Sequence, residues 1–132
     1  MPHIIIEHSA NLAELTDMSS LVDAVHQAAL AGGLAEPAAL RTRAAARRHY
    51  RIADGDPSYG FVAVYARMAP GRDRETMREF LIRLIDTVDE ALAPLLPEHP
   101  VAVSAEIQLI DPAMRINRNH IRTRLSETPA TP

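Results

Sequence analysis

The sequence predicts an α+β fold in which two β-α-β units form a four-stranded mixed sheet with two helices on one face, followed by a short C-terminal element. Four segments have the β-branched content or the alternation of strands, and two longer segments with apolar residues at helical spacing separate the strands within each unit. The chain has 132 residues, of which 47% are hydrophobic, enough for one domain with its own core. We assign residues 1–125 to this domain and residues 126–132 to a flexible C-terminal tail.

The first unit starts at the beginning of the chain. Residues 3–8 form the first predicted strand, because Ile4 to Ile6 are consecutive β-branched residues, as in a strand that is covered on both faces. In the helix that follows, Ser20 and Asp23 resemble a capping box at the start, and Gly32-Gly33 ends the helix. The apolar face of this helix contains Leu21, Val22, Val25, Ala28 and Ala29.

The second and third strands are predicted to form a hairpin. Leu40 to Ile52 is the second strand candidate, and alternation places four of its residues on one face: Arg41, Arg43, Ala45 and Arg47. A turn signal from Ala53 to Ser58 separates it from Tyr59 to Met68, whose aromatic and β-branched residues are typical of a strand. We therefore expect the two units to lie antiparallel across this hairpin.

The second unit contains the longer helix. A turn from Ala69 to Arg72 precedes Asp73, which suits an N-cap, and Pro94 follows the last apolar residue of the helix. The apolar face between them contains Met77, Phe80, Leu81, Leu84, Ile85, Val88 and Leu92. Val101 to Ile110 is the fourth strand, and the polar segment from Met114 to Leu125 is a candidate helix.

A sheet with both helices on one face leaves its other face uncovered. Ile4 to Ile6 nevertheless place apolar side chains on both sides of the first strand. Because apolar sheet faces need a second layer, we expect the uncovered faces of several subunits to pack together in an oligomer.

Composition excludes several classes of function. The chain has no cysteine, so disulfides and thiol nucleophiles are excluded, and all 14 basic residues are arginine, so a Schiff-base lysine is excluded as well. A net charge of −3 and an aromatic content of 4% argue against nucleic-acid binding. No apolar run approaches the roughly 18 residues of a membrane span, and the start of the chain lacks a signal-peptide pattern, so we predict a cytoplasmic protein without membrane contact.

Pro2 is the first candidate for chemistry. Removal of Met1 would leave the ring nitrogen of Pro2 as a free secondary amine, held in place by the strand that follows. Partial burial and nearby guanidinium groups both lower the pKa of such an amine toward the range in which a general base works best. The alternative is that Pro2 merely permits removal of the methionine and has no catalytic role.

Three arginines are the second candidates. Arg41 and Arg43 share a strand face, and Arg72 lies in the turn before the second helix, so their guanidinium groups could bind carboxylates. A solvated strand face is the alternative, which we favour for Arg47, Arg48 and Arg51. The six histidines lack the spacing of a metal-binding motif, so we expect no metal site.

An ordered set of short segments resembles one enzyme family. Pro2 to Asn11, Arg41-Thr42-Arg43 and Gly71-Arg72 are similar to segments of the 5-carboxymethyl-2-hydroxymuconate Δ-isomerases. This family belongs to the tautomerase superfamily, together with 4-oxalocrotonate tautomerase and macrophage migration inhibitory factor. Further similar segments are Ala53-Asp54-Gly55, Tyr59 to Val62, Ser104 to Ile107 and Pro112 to Asn119. The set extends over nearly the whole chain in the family's order.

The resemblance implies the fold predicted above, assembled as a homotrimer, with no cofactor and no metal. It implies that Pro2, after removal of Met1, is the catalytic base that moves a proton from the 2-hydroxyl of the dienol to C5, in homoprotocatechuate catabolism. It also implies that Arg41 and Arg72 bind carboxylates of a dicarboxylate or tricarboxylate enol, with Arg43 as a further substrate-binding match.

The chain departs from the family pattern at several positions. Ile4 stands where an aromatic residue is common, His8 stands where a small or aromatic residue is usual, and Gln108-Leu109 replaces a more acidic pair. Arg115 occupies a stretch that is normally neutral. Two alternatives therefore stay open: a tautomerase that acts on another enol or keto acid, and, if Met1 is retained, a non-catalytic trimeric binding protein.

Overall fold

The computed structural model describes residues 2–127, in which strands and helices alternate. The strands and α-helices are β1 (Pro2–Ser9), α1 (Met18–Ala31), β2 (Arg41–Arg47), β3 (Gly60–Met68), α2 (Arg74–Leu92), β4 (Val101–Leu109) and α3 (His120–Glu127). Short 3-10 turns follow β1 and β4, at Ala10–Glu14 and Pro112–Met114. The predicted tail, 126–132, overlaps the last two residues of α3, and its remainder lies outside the described residues.

The four strands form one mixed sheet in the order β2-β1-β3-β4. β1 is parallel to β2 and antiparallel to β3, and β3 is parallel to β4. Each parallel pair is joined by one helix, as parallel pairing requires a crossover connection. The predicted fold class, two β-α-β units in a four-stranded mixed sheet, is confirmed.

The predicted hairpin between the second and third strands is wrong. β2 ends at Arg47, well short of the predicted Ile52, and lies at the edge of the sheet, where it pairs only with β1. The antiparallel contact between the two units is instead made by β1 and β3. The connection from 48 to 59 carries the chain from β2, at the edge of the sheet, past β1 to β3. The more apolar β1 therefore lies inside the sheet, between β2 and β3.

Alternation along β1 separates the two faces of the sheet. Ile4 and Ile6 are fully buried toward the helices, whereas Ile5 lies half-buried on the opposite face. The helices supply the other side of the core with residues that are at most 3% exposed: Leu21, Val25 and Ala29 from α1, and Phe80, Leu84, Val88 and Leu92 from α2. Both predicted apolar helix faces therefore lie against the same face of the sheet, and the opposite face of the sheet points away from the helices.

The two long helices start at aspartate caps. The side chain of Asp73 accepts a hydrogen bond from the backbone N–H of Thr76 at 2.7 Å, so the predicted cap of α2 is confirmed. The predicted capping box of α1 is wrong, because the helix begins earlier and Asp17 accepts from the N–H of Ser19 at 2.9 Å. The hydroxyl of Ser20 donates to the same carboxylate, and this contact satisfies the side chain that the sequence had assigned to the cap.

The second face of the sheet has no helix on it in the described chain. Phe61 and Tyr65 of β3 and Ile5 of β1 lie there, all half-buried. This face also contains Arg41 and Arg43, which the alternation in β2 placed on a common side. Within residues 2–127, none of the helices combines the length and apolarity that crossing a bilayer requires.

The core assignment predicts unequal effects for two neighbouring residues of α2. Leu84→Ala should lower the free energy of unfolding by about 2–5 kcal/mol, because Leu84 is fully buried and its removal leaves a cavity. Ile82→Ala is the control, since Ile82 is 48% exposed, and it should cost less than about 1 kcal/mol. Urea denaturation at one fixed protein concentration measures both values. Equal losses would contradict the assigned face of α2.

Candidate functional site

The candidate site lies at the end of the sheet where β1 and β2 begin. Because these strands are parallel and β3 is antiparallel to β1, the end of β3 lies beside the start of β1, at the same end of the sheet as the start of β2. Pro2 pairs with Met68, and its side chain is fully buried. The next residue, His3, pairs with Arg41 on one side and with Arg67 on the other. Pairing with β2 on one edge and with β3 on the other thus fixes the position of His3 near the start of β1.

The side chains of three arginines contact the imidazole ring of His3. Nη1 of Arg41 lies 3.2 Å from Nε2 of His3, and Nη1 of Arg43 lies 3.3 Å from Nδ1. Nη2 of Arg115 lies 3.4 Å from Nε2, on the same nitrogen as Arg41. Arg67, the cross-strand neighbour, adds a fourth positive charge to the surroundings of the ring. We call these five residues the His3 cluster.

The His3 cluster keeps its histidine neutral. Burial lowers the pKa of His3 below its usual value of 6.5, and the positive charges of Arg41, Arg43, Arg115 and Arg67 lower the pKa further, in that order. Both effects act in the same direction because each disfavours a second positive charge on the ring. At neutral pH the imidazole is therefore a polar, uncharged partner for the guanidinium groups.

Arg72 has a different hydrogen-bond partner from the other predicted substrate-binding arginines. Arg72 lies in the connection between β3 and α2 and donates from Nη2 to the backbone carbonyl of Leu34 at 2.8 Å. This connection leaves the sheet at the same end as the start of β1. Arg41 and Arg43 are brought together on His3, whereas Arg72 is held against the loop that follows α1.

Arg115 was not among the residues that the sequence selected for the site. It follows the 3-10 turn after β4 and is half-buried, and its contact joins residues 112 positions apart. The same segment is fixed farther on, because Nδ2 of Asn119 donates to the carbonyl of Ala38 at 2.8 Å and Arg122 pairs with Glu36 at 2.6 Å. The only sequence signal was its departure from the family pattern.

Two other histidines, His8 and His26, have hydrogen-bond partners away from the His3 cluster. Nδ1 of His8, which is buried, lies 2.9 Å from the carbonyl of Ser9, and Nδ1 of His26 lies 2.8 Å from the hydroxyl of Thr42. Among residues 2–127 no three histidine, aspartate or glutamate side chains are arranged to hold a metal ion. The side chains that are brought together at this end of the sheet are guanidinium groups and the imidazole of His3.

A separate groove of about 580 Å³ runs between α2 and β4. Its walls include Met77 and Leu81 of the helix and Ile107 of the strand. It contains none of the four predicted site residues, Pro2, Arg41, Arg43 and Arg72. In the single subunit, this groove therefore lies apart from the predicted site residues.

Comparison with known proteins gives one consistent family. A family model described as 5-carboxymethyl-2-hydroxymuconate isomerase matches residues 2–125. The chain is similar to an Escherichia coli protein, 5-carboxymethyl-2-hydroxymuconate Delta-isomerase, with 27% identity over 121 residues that cover 92% of this chain and 96% of the relative. It is also similar to the crystal structure of a 5-carboxymethyl-2-hydroxymuconate isomerase from Deinococcus radiodurans R1, at 26% identity and a TM-score of 0.86, over 94% of this chain and 93% of that one. A further crystal structure, of a 5-carboxymethyl-2-hydroxymuconate delta-isomerase, shares the fold at 24% identity and a TM-score of 0.88, over 98% and 96% of the two chains.

The lowered pKa of His3 predicts a pH-dependent stability term. As the pH falls below about 6.5, the unfolded chain binds a proton at His3 before the folded chain does, so the free energy of unfolding decreases. His3→Gln cannot titrate, and it should reduce this loss when urea unfolding is compared at pH 7.5 and pH values below 6.5. His49→Gln, at an exposed position outside the cluster, is the matched control. If the pH dependence of His3→Gln equals that of the wild type, His3 does not titrate as described.

Proposed function

The chain belongs to the 5-carboxymethyl-2-hydroxymuconate isomerase family, and we propose from this premise that it converts 5-carboxymethyl-2-hydroxymuconate to the 2-oxo-3-ene isomer. The resemblance of the sequence segments indicated the same family, and the family model extends it over residues 2–125. The single observation that carries the site proposal is the His3 cluster, whose arginines gather one residue from Pro2. The reaction would serve homoprotocatechuate catabolism, in the cytoplasm.

The proposed reaction moves one proton and one double bond. Once Met1 is removed, the neutral amine of Pro2 takes the proton of the 2-hydroxyl group, and the C2–O bond becomes a carbonyl. The electron pair of the C2–C3 double bond moves to C3–C4, the C4–C5 double bond opens, and C5 takes a proton from the ammonium group of Pro2. Atoms and electrons balance without a cofactor or a co-reactant, and the amine is regenerated.

The surroundings of Pro2 favour the neutral amine that this step requires. Pro2 is buried and pairs with Met68, so its nitrogen would be held in a fixed position rather than at a fraying terminus. Burial and the nearby guanidinium groups of the His3 cluster disfavour an ammonium ion for the same physical reasons that lower the pKa of His3. A base that is uncharged near neutral pH is the form that accepts a proton.

Arginines would hold the anionic substrate around this amine. Arg41 and Arg43 supply two guanidinium groups beside His3, and consecutive Cα atoms are only about 3.8 Å apart, so the cluster begins next to the proposed base. Arg72 would approach from the connection before α2 and polarise the developing 2-oxo group, exchanging its hydrogen bond to Leu34 for one to substrate.

We propose that each subunit assembles with two further copies of the chain. A homotrimer is supported by the second face of the sheet, where Ile5, Phe61 and Tyr65 lie half-buried without a covering layer in the described chain. Packing these faces together would add a second layer over the apolar face of the sheet, as the sequence Ile4 to Ile6 predicts. It would also bring the His3 clusters of the three copies to the inner side of the assembly.

A second candidate is the same proline chemistry on a different enol acid. The observation behind it is Arg115, whose guanidinium group lies beside His3 at a position that the family pattern leaves neutral, so the groups that would face the substrate differ from those of the family. Direct assays with 5-carboxymethyl-2-hydroxymuconate and with a phenylpyruvate-type enol separate the two candidates by their kcat/KM values.

Pro2→Ala tests the general base. Alanine also permits removal of Met1 but supplies a primary amine of different basicity and geometry, so kcat should fall by about 10²–10⁴-fold with the fold intact. The measurement is the rate of isomerisation of 5-carboxymethyl-2-hydroxymuconate. Intact-mass spectrometry of both proteins is the control, because retention of Met1 converts the nitrogen to an amide and removes the base from either one. Full activity of Pro2→Ala would refute the role of Pro2.

Arg72→Ala tests carboxylate recognition from the loop. Loss of a charge-assisted hydrogen bond should lower kcat/KM by about 10–100-fold, because such bonds contribute about 1.5–3 kcal/mol. Arg83→Ala, on an exposed position of α2, removes the same charge away from the site and should leave kcat/KM unchanged. Identical kinetics for the two variants would remove Arg72 from the substrate site.

A further inference from the structure

The His3 cluster contains more positive charge than the described chain neutralises. The ion pairs among residues 2–127 join Arg47 to Glu7 and Arg122 to Glu36. None of the cluster arginines, Arg41, Arg43, Arg67 and Arg115, has such a carboxylate partner within the described chain. Four guanidinium groups around one neutral ring thus concentrate positive charge at one place in a chain whose net charge is −3, and such a concentration attracts anions.

Hydrogen-bond capacity leads to the same conclusion. A neutral imidazole has one nitrogen that accepts and one that donates, whereas guanidinium groups only donate. Arg41 and Arg115 both face Nε2, and Arg43 faces Nδ1. Whichever nitrogen carries the hydrogen, at least one guanidinium group therefore faces an N–H instead of a lone pair. A carboxylate, which has two accepting oxygens, would satisfy the donors that the ring leaves without an acceptor.

Arg115 reaches the cluster on a backbone that is fixed on both sides. Before it, the carboxylate of Asp111 accepts from the N–H of Ala113 at 3.0 Å and closes the 3-10 turn. After it, Asn119 is bonded to the carbonyl of Ala38, in the loop that leads into β2. Arg115 is half-buried rather than extended into solvent. Its position on His3 is therefore set by the fold, as a binding residue requires.

We infer that Arg115 is a specificity-determining residue that, together with Arg41 and Arg43, binds an additional carboxylate of a polyanionic enol acid. The inference rests on the proposed function for the enol chemistry, but the anion site itself needs only the cluster. His3 acts as a positioning residue, because its neutral ring holds the guanidinium groups together while leaving their charge uncancelled. A ligand with three carboxylates gains from Arg115, and a ligand with two gains less.

Calorimetric titration with stable probes tests the site separately from turnover. Tricarballylate supplies three carboxylates and glutarate supplies two. Arg115→Gln should raise the Kd for tricarballylate about tenfold and the Kd for glutarate by less than about threefold, since one charge-assisted contact is lost. Arg118→Gln, at an exposed position in the same segment, should match the wild type, and Arg115→Lys should fall between wild type and Arg115→Gln because it keeps the charge without the planar fork.

Kinetics then connect the site to the reaction. With 5-carboxymethyl-2-hydroxymuconate, Arg115→Gln should raise KM about tenfold while kcat changes by less than about twofold, the signature of lost uniform binding. Pro2→Ala should lose turnover and keep tricarballylate binding, so failure of the proposed reaction and failure of the anion site give different results. Equal tricarballylate affinity in Arg115→Gln and wild type, or no binding by wild type, overturns the inference. So does an effect of Arg115→Gln on oligomeric state alone, which would assign Arg115 to an acidic group of a neighbouring copy.

Discussion

Hydrogen bonding of β1 along both of its edges is the constraint on which the rest of the structure depends. The contact between the two β-α-β units is made by β1, which is parallel to β2 of its own unit and antiparallel to β3 of the other. The same pairing fixes Pro2 beside Met68 and places Arg41 and Arg67 on either side of His3. Sheet register, a property of the backbone, thus determines which charges surround the start of the strand.

The charge arrangement follows from that register and opposes the ordinary preference of arginines to be paired. Guanidinium groups remain charged at any pH that the fold tolerates, so the repulsion among Arg41, Arg43 and Arg115 cannot be relieved by deprotonation. His3 lowers the local positive charge by staying unprotonated, and its burial and the neighbouring guanidinium groups both lower its pKa. Stability given up at such a site is common where an enzyme must receive an anionic ligand.

Local patterns predicted much of this molecule, and long-range contacts account for what they missed. The run Ile4 to Ile6 predicted a buried strand, and the alternation in β2 predicted a shared face for Arg41 and Arg43, because side-chain direction in a strand depends only on parity. The pairing of β2 with β3 was wrong because turn signals do not reveal which strand will take the centre of a sheet. The contact of Arg115 with His3 depends on how the C-terminal segment returns across the sheet, and no local pattern encodes that path. The roles of Pro2, Arg41, Arg43 and Arg72 remain predictions that geometry makes testable.

The central position of β1 also has a consequence for how the chain folds during synthesis. A nascent chain that has reached Arg47 can form the first unit, but the second edge of β1 stays unpaired until β3 has been made up to Met68. During that interval the unit presents a free, isoleucine-rich strand edge, which is a template for pairing with another chain. The order of synthesis therefore makes the first half of this protein prone to aggregation, and rapid completion of β3 protects it.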